Sequence, residues 1–162
     1  MSNNMKARKN LALVAHDNRK KDIAEWVEWN YRILAKHNII CTGTTGKMIE
    51  RVLLEKHEAE ESDAILHPVQ KLKSGPLGGD QQLGAMIAEG KIDVLIFFWD
   101  PMEPQPHDVD VKALSRIAVV YNIPVANNRS SADFIISSPL FNEEYQPKLK
   151  DYTGYMNRAT ER

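Results

Sequence analysis

With one cysteine in the chain, Cys41, no internal disulfide can form, and no cysteine–histidine cluster has the spacing of a zinc site. An excess of either charge is also missing. Lys and Arg number 21 against 22 Asp and Glu, a formal net charge of −1, so no basic field exists for a nucleic-acid backbone. Like charges gather only in the N-terminal "KARK" and the acidic "EKHEAEESD". No apolar run approaches the ~20 residues that cross a bilayer. The opening "MSNNMKARKNLALVAH" has an apolar stretch too short for a signal peptide. No nucleic acid and no membrane is therefore expected as a partner, and the expected setting is a reducing cytoplasm. The 162 residues suffice for one domain with a substantial core, spanning 1–162 with residues 1–9 and 142–162 as flanking tails.

Short apolar runs rich in β-branched residues recur at Leu11–Ala15, Ile39–Thr42, Val94–Trp99 and Ile123–Ala126, with a weaker one at Val69–Lys73. They predict strands buried on both faces. Between them stand apolar residues at helical spacing: Ile23, Trp26, Val27, Leu34; Met48, Ile49, Val52, Leu53; Leu83, Met86, Ile87; Val111, Leu114, Ala118, Tyr121. Alternating strands and helices predict an α/β, doubly wound three-layer sandwich with a five-stranded parallel sheet. Asp17 or Asn18 is expected to cap the first helix, Gly90 to end the third and Pro124 to open the last strand. The tail from Phe141 onward has no strong period and is expected either to wrap a neighbouring subunit or to fray.

In such sheets ligands bind outside the carboxyl ends of the strands. The segments expected there are "HDNRK", "TGTTGK", "SGPLGGD" and "DPMEPQPHDVD". "TGTTGK", Thr42 to Lys47, combines glycines, hydroxyls and a helix start, the ingredients of an anion site. It is not a P-loop, since two residues separate Gly43 from Gly46 and Met48 follows Lys47. Lys20 can reach the same anion, and Ser74 with the N–H of Gly75 can close the cradle from the other side. Each residue also has an ordinary structural role open to it: Thr44, Thr45, Asp80, Asp108 or Asp110 as helix caps, Lys20, Gln81 and Gln82 as solvated face residues, and His16 as a satisfied polar group ending a strand. His107, flanked by carboxylates, suits a general acid or electrophile with its tautomer set by Asp110 or Asp108. His16, Asp80, His107 and Asp110 have metal-ligand chemistry, but no HxH or HExxH spacing supports a metal, and none is expected.

Taken together, "ALVAHDNRK", "TGTTGK", "SGPLGGDQQLGAMIAEGKIDVLIFFWDP", "PHDVDVKAL" and "NIPVANNRSSADFIISS" resemble the methylglyoxal synthase family, from Leu11 to Phe141. The joint presence of GGDQQ and PHDxD separates this pattern from the related effector domains of carbamoyl-phosphate synthetase and the purine-pathway cyclohydrolase. The resemblance implies a homohexamer that converts dihydroxyacetone phosphate to methylglyoxal and inorganic phosphate through an ene-diolate, with no metal or organic cofactor. It implies Asp80 as catalytic base and His107 as electrophile and proton shuttle, with Asp110 or Asp108 expected to orient His107 and share its proton traffic. His16, Lys20, Thr42, Gly43, Thr44, Thr45, Ser74, Gly75 and His107 would contact substrate, mainly its phosphate, and inorganic phosphate would be product and inhibitor. A non-catalytic phosphate-ligand sensor is the alternative, disfavoured because it needs neither base nor proton shuttle. One departure stands out: Val52–Pro68 is longer than the family pattern, on the second crossover rather than in a rim loop.

Overall fold

The computed structural model describes residues 4–61, 63 and 65–158. Five parallel strands, β1 (Asn10–Ala15), β2 (Asn38–Thr42), β3 (Gln70–Leu72), β4 (Val94–Phe98) and β5 (Val125–Ala126), form one sheet in the order β3-β2-β1-β4-β5. The helices are α1 (Lys20–Trp29), α2 (Tyr31–Leu34), α3 (Gly43–Ala59), α4 (Gly79–Ala88), α5 (Asp108–Val120), α6 (Arg129–Ser137) and α7 (Thr153–Arg158). Successive strand residues point to opposite faces. Leu11, Leu13, Ile39, Cys41, Ile96 and Phe98 therefore pack with α1, α2, α3 and α6, whereas Ala12, Val14, Ile40, Leu95 and Phe97 pack with α4 and α5. This is the expected three-layer sandwich, and the strand order reverses direction between β1 and β4, the crevice where such sheets place ligands.

Element ends differ from expectation for local reasons. The first helical pattern splits at Asn30, whose φ of −101° and ψ of 18° leave the helix, so Leu34 belongs to α2. β4 stops at Phe98 because the Trp99 N–H turns back to the Phe97 carbonyl at 3.1 Å. β5 is two residues long, yet the Pro124 carbonyl still accepts the Leu95 N–H at 3.0 Å. Neither Asp17 nor Asn18 caps α1, since residues 17–19 form a 3-10 turn instead. Gly90, at φ 73°, does follow the end of α4. The segment after β5 forms α6, with Asn128 Oδ1 accepting the Ser131 N–H at 2.9 Å as its cap.

The longer Val52–Pro68 segment, of which Ser62 and Ala64 lie outside the described residues, extends α3 across α1 and α2. Leu53 is buried there, Tyr31 Oη meets His57 Nδ1 at 2.9 Å and Arg32 pairs with Glu60 at 3.2 Å. The flanking segments hold each other, with residues 1–3 and 159–162 outside the described residues. Met5 bridges antiparallel to Tyr145, and buried Lys9 donates its ammonium to the carbonyls of Lys6 and Glu143. His37 takes the Lys9 N–H on Nδ1 at 2.9 Å and meets Asn142 Oδ1 through Nε2 at 3.1 Å. Residues 141–145 thus fold back on their own chain instead of fraying, and the tail continues to α7, whose residues are all exposed.

Candidate active site

Four strand ends converge on one small pocket of about 100 Å³. That is below the ~300–1,000 Å³ of drug-sized ligand sites and on the scale of a small metabolite. β1 delivers His16, whose N–H continues the β1–β4 pairing to the Phe98 carbonyl at 3.2 Å. Its ring is buried, edge-on to Phe97 and to His107 with centroids 5.2 and 5.4 Å away. Nδ1 accepts the Asp100 N–H at 3.0 Å, so a neutral His16 carries its proton on Nε2. That Nε2 is buried without a partner among the described residues. Burial first, and the nearby His107 second, push the imidazole below the ordinary histidine range, which keeps it neutral. Lys20 opens α1 from the same strand end and bonds Asp17 Oδ1 at 2.7 Å and Thr44 Oγ1 at 2.5 Å.

β2 runs into α3 at Thr42, which stays extended (φ −89°, ψ 146°) while Gly43, Thr44 and Thr45 form the first turn. No threonine side chain caps the helix. Residues 42–45 line the pocket, so the start of this 17-residue helix brings hydroxyls and N–H groups free of side-chain caps to the pocket wall. The Gly43 N–H donates to the Lys73 carbonyl at 3.2 Å and ties this cradle to the end of β3.

Beyond β3, Ser74 is extended and Gly75–Leu77 make a 3-10 turn closed by Gly78 at φ 107°. The Ser74 carbonyl accepts the N–H groups of Leu77 (3.0 Å) and Gly79 (2.8 Å). This curl leaves no room at Gly79: a Cβ there would lie 2.0 Å from the Lys73 carbonyl oxygen. Gln82 has a structural task the sequence concealed, taking the Lys73 N–H on Oε1 at 2.9 Å. Asp80, second in α4, is 2% exposed. It is not the helix cap: Gly78 holds that position, and both Asp80 carboxylate oxygens lack a hydrogen-bond partner among the described residues.

β4 leads through a proline-rich arm to His107, the N-cap of α5. Asn18 pins this arm, donating to Asp100 Oδ2 at 2.8 Å and Glu103 Oε2 at 2.5 Å, while the Met102 N–H reaches Asp100 Oδ1 at 2.9 Å. His107 Nε2 lies 3.7 Å from Asp80 Oδ2, within ion-pair range and beyond a hydrogen bond. Burial is the main force raising the Asp80 carboxyl above the usual carboxylate range; His107 opposes it and Asp110 adds to it.

Of the candidates, His16, Lys20, Thr42–Thr45, Ser74, Gly75, Asp80 and His107 all line the pocket. Asp110 does not, although its charge reaches Asp80. The expected aspartate partner of His107 is also not found. His107 Nδ1 is buried without a partner among the described residues, and Asp108 Oδ2 instead takes the Gln105 N–H at 3.0 Å. Sequence reasoning passed over Asp17, Pro76 and Gln105 as lining residues. Gln105 sits between two prolines beside the His107 motif, the one local sign that its position is fixed. Among the described residues no group of three or more His, Cys, Asp and Glu is placed to hold a metal.

A pocket of this make-up, with an uncapped helix start, a lysine, two imidazoles and a buried carboxylate, can hold an anion and move a proton beside it. The MGS-like domain family matches residues 22–127. Methylglyoxal synthase of Maridesulfovibrio salexigens is 60% identical over 93% of this chain and 96% of its own length. That of Oleidesulfovibrio alaskensis is 53% identical over 95% and 97%. The crystal structure of methylglyoxal synthase from Elizabethkingia anophelis superposes with a TM-score of 0.83 at 52% identity, covering 96% of this chain and 94% of that one. By domain, sequence and fold, this chain belongs to the methylglyoxal synthase family.

Proposed function

We propose that the chain is a carbon–oxygen lyase that converts dihydroxyacetone phosphate to methylglyoxal and inorganic phosphate. The observation that carries the reading is Asp80: a buried carboxylate with no hydrogen-bond partner among the described residues, 3.7 Å from a histidine and across from an anion cradle. A carboxylate so placed serves as a base for a carbon acid.

In this reading the phosphate rests on the first turn of α3, among Thr42–Thr45, with Lys20 and the Ser74–Gly75 edge. Asp80 takes a proton from the hydroxymethyl carbon. Charge then develops on the carbonyl oxygen, where the Nε2–H of neutral His16 and the His107 imidazole act as donors. The ene-diolate pushes its electron pair toward the far carbon, and the carbon–oxygen bond to phosphate breaks with the pair leaving on phosphate. The remaining ene-diol hydroxyl gives up its proton, phosphate gains one, and the enol carbon is protonated to the methyl group. Atoms balance without water, oxidant or reductant. Expulsion requires the breaking bond to stand perpendicular to the ene-diolate plane, and in this reading the α3 cradle holds that rotamer.

Purified protein mixed with dihydroxyacetone phosphate should release phosphate and a dicarbonyl in equal amounts without added metal. Folded protein that releases neither ends the reading. Lys20→Met should weaken binding of inorganic phosphate roughly 10- to 100-fold, since a charge-assisted hydrogen bond contributes about 1.5–3 kcal/mol. Calorimetry would read it, and unchanged affinity would remove Lys20 from the phosphate site.

A further inference from the structure

We propose that Gln105 is a substrate-contacting residue that reads the free-hydroxyl end of the substrate and so sets specificity; this rests on the function proposed above. Three observations carry it. Gln105 lines the same pocket as Asp80 and His107 and is partly buried there. Its backbone is held from both sides: the N–H donates to Asp108 Oδ2 at 3.0 Å and the carbonyl accepts the Asp108 N–H at 3.3 Å. Pro104 and Pro106 flank it, restricting the chain on either side. These bonds are made by the backbone alone and do not draw on the side-chain carboxamide. A residue that lines a pocket and is fixed through its backbone is suited to receive a ligand group with its side chain.

The remaining chemistry of the pocket indicates which group. Lys20 and the threonines of α3 serve an anion, Asp80 a carbon-bound proton, and the two imidazoles an oxygen that gains charge. None of these is left for a neutral hydroxyl, which must both donate and accept when water is excluded. A carboxamide offers both functions without charge. Gln105 also stands two residues before His107 on the arm that Asn18 fastens through Asp100 and Glu103, so it reaches the pocket from the side of the proton chemistry. A site that hydrogen-bonds a substrate hydroxyl rejects analogues that lack it, because its own polar groups are then stranded.

The test compares binding of three probes to the wild type and to Gln105→Leu by calorimetry. Glycerol 3-phosphate carries free hydroxyls, ethyl phosphate carries none, and inorganic phosphate reports the cradle alone. The expected result is about tenfold weaker glycerol 3-phosphate binding, with ethyl phosphate and inorganic phosphate unchanged. Equal weakening of all three would make Gln105 a phosphate ligand, and no change in any would make it a bystander; either overturns the proposal. These readouts need no turnover. Failure of the lyase reading, a wild type that releases no dicarbonyl, is thus distinguishable from failure of the Gln105 assignment.

Discussion

Asp80→Asn is expected to lower turnover by about 10²–10⁴-fold, the usual contribution of a positioned general base, while inorganic phosphate still binds and the fold becomes more stable at neutral pH. The two effects have one cause. Asp80 is 2% exposed and its carboxylate oxygens have no hydrogen-bond partner among the described residues, so ionisation there is penalised by burial. A carboxyl raised in the folded state binds its proton more tightly than in the unfolded chain, and between the two pKa values the folded state holds more protons. Stability therefore falls as pH rises from the ordinary value of 3.8 through the raised one, and above that the ionised group is a standing cost. The asparagine variant escapes this cost, so its melting temperature should exceed the wild type's at pH 7, and the gap should close toward pH 3. The rate has the opposite demand, for the base must be ionised, and kcat/KM should fall on the acid side with an apparent pKa above 3.8. Full activity in Asp80→Asn, or an acid limb at or below the ordinary value, would show that another group takes the proton.

Gly75→Ala should cost about 10²-fold in turnover with little loss of fold. A methyl group there would lie 2.9 Å from His107 Nε2, 3.1 Å from its Cδ2 and 3.3 Å from Asp80 Oδ1. The ring and the carboxylate are both buried, so the pair itself must yield, and misplacing a catalytic group by about 1 Å is enough for a loss of this size. Circular dichroism should match the wild type, with the melting temperature shifted by a few degrees at most. Wild-type kinetics in this variant would mean that the His107–Asp80 geometry is not what sets the rate. A collapsed fold would mean that the turn, not the site, needs the glycine.

Much of the architecture was legible because parallel strands buried on both faces advertise themselves as apolar runs. The four polar segments that follow them had to gather on one rim once those runs were aligned in parallel. What escaped was non-local or conformational. Lys9 reads as one of several N-terminal cations, yet its ammonium is used up on the carbonyls of Lys6 and of Glu143, 134 residues away, a pairing no local pattern encodes. α6 was hidden by the brevity of β5 and by a serine-rich start, although Asn128 is an ordinary N-cap. The expected pairing of His107 with Asp110 or Asp108 failed because adjacency in sequence does not fix a side chain's direction: with His107 itself as N-cap, Asp108 turns back to Gln105 and His107 Nε2 faces Asp80 instead.

The clasp of Met5 with Tyr145 and of Lys9 with Glu143 lies at the amino ends of the strands, one strand length from the rim that carries the pocket. With six residues in β1, that separation is about 20 Å. A surface linker or fluorescent reporter attached beside Met5 would therefore load the blunt end of the sheet and leave the mouth of the pocket facing open solution, which makes that end the natural handle for immobilising the catalyst.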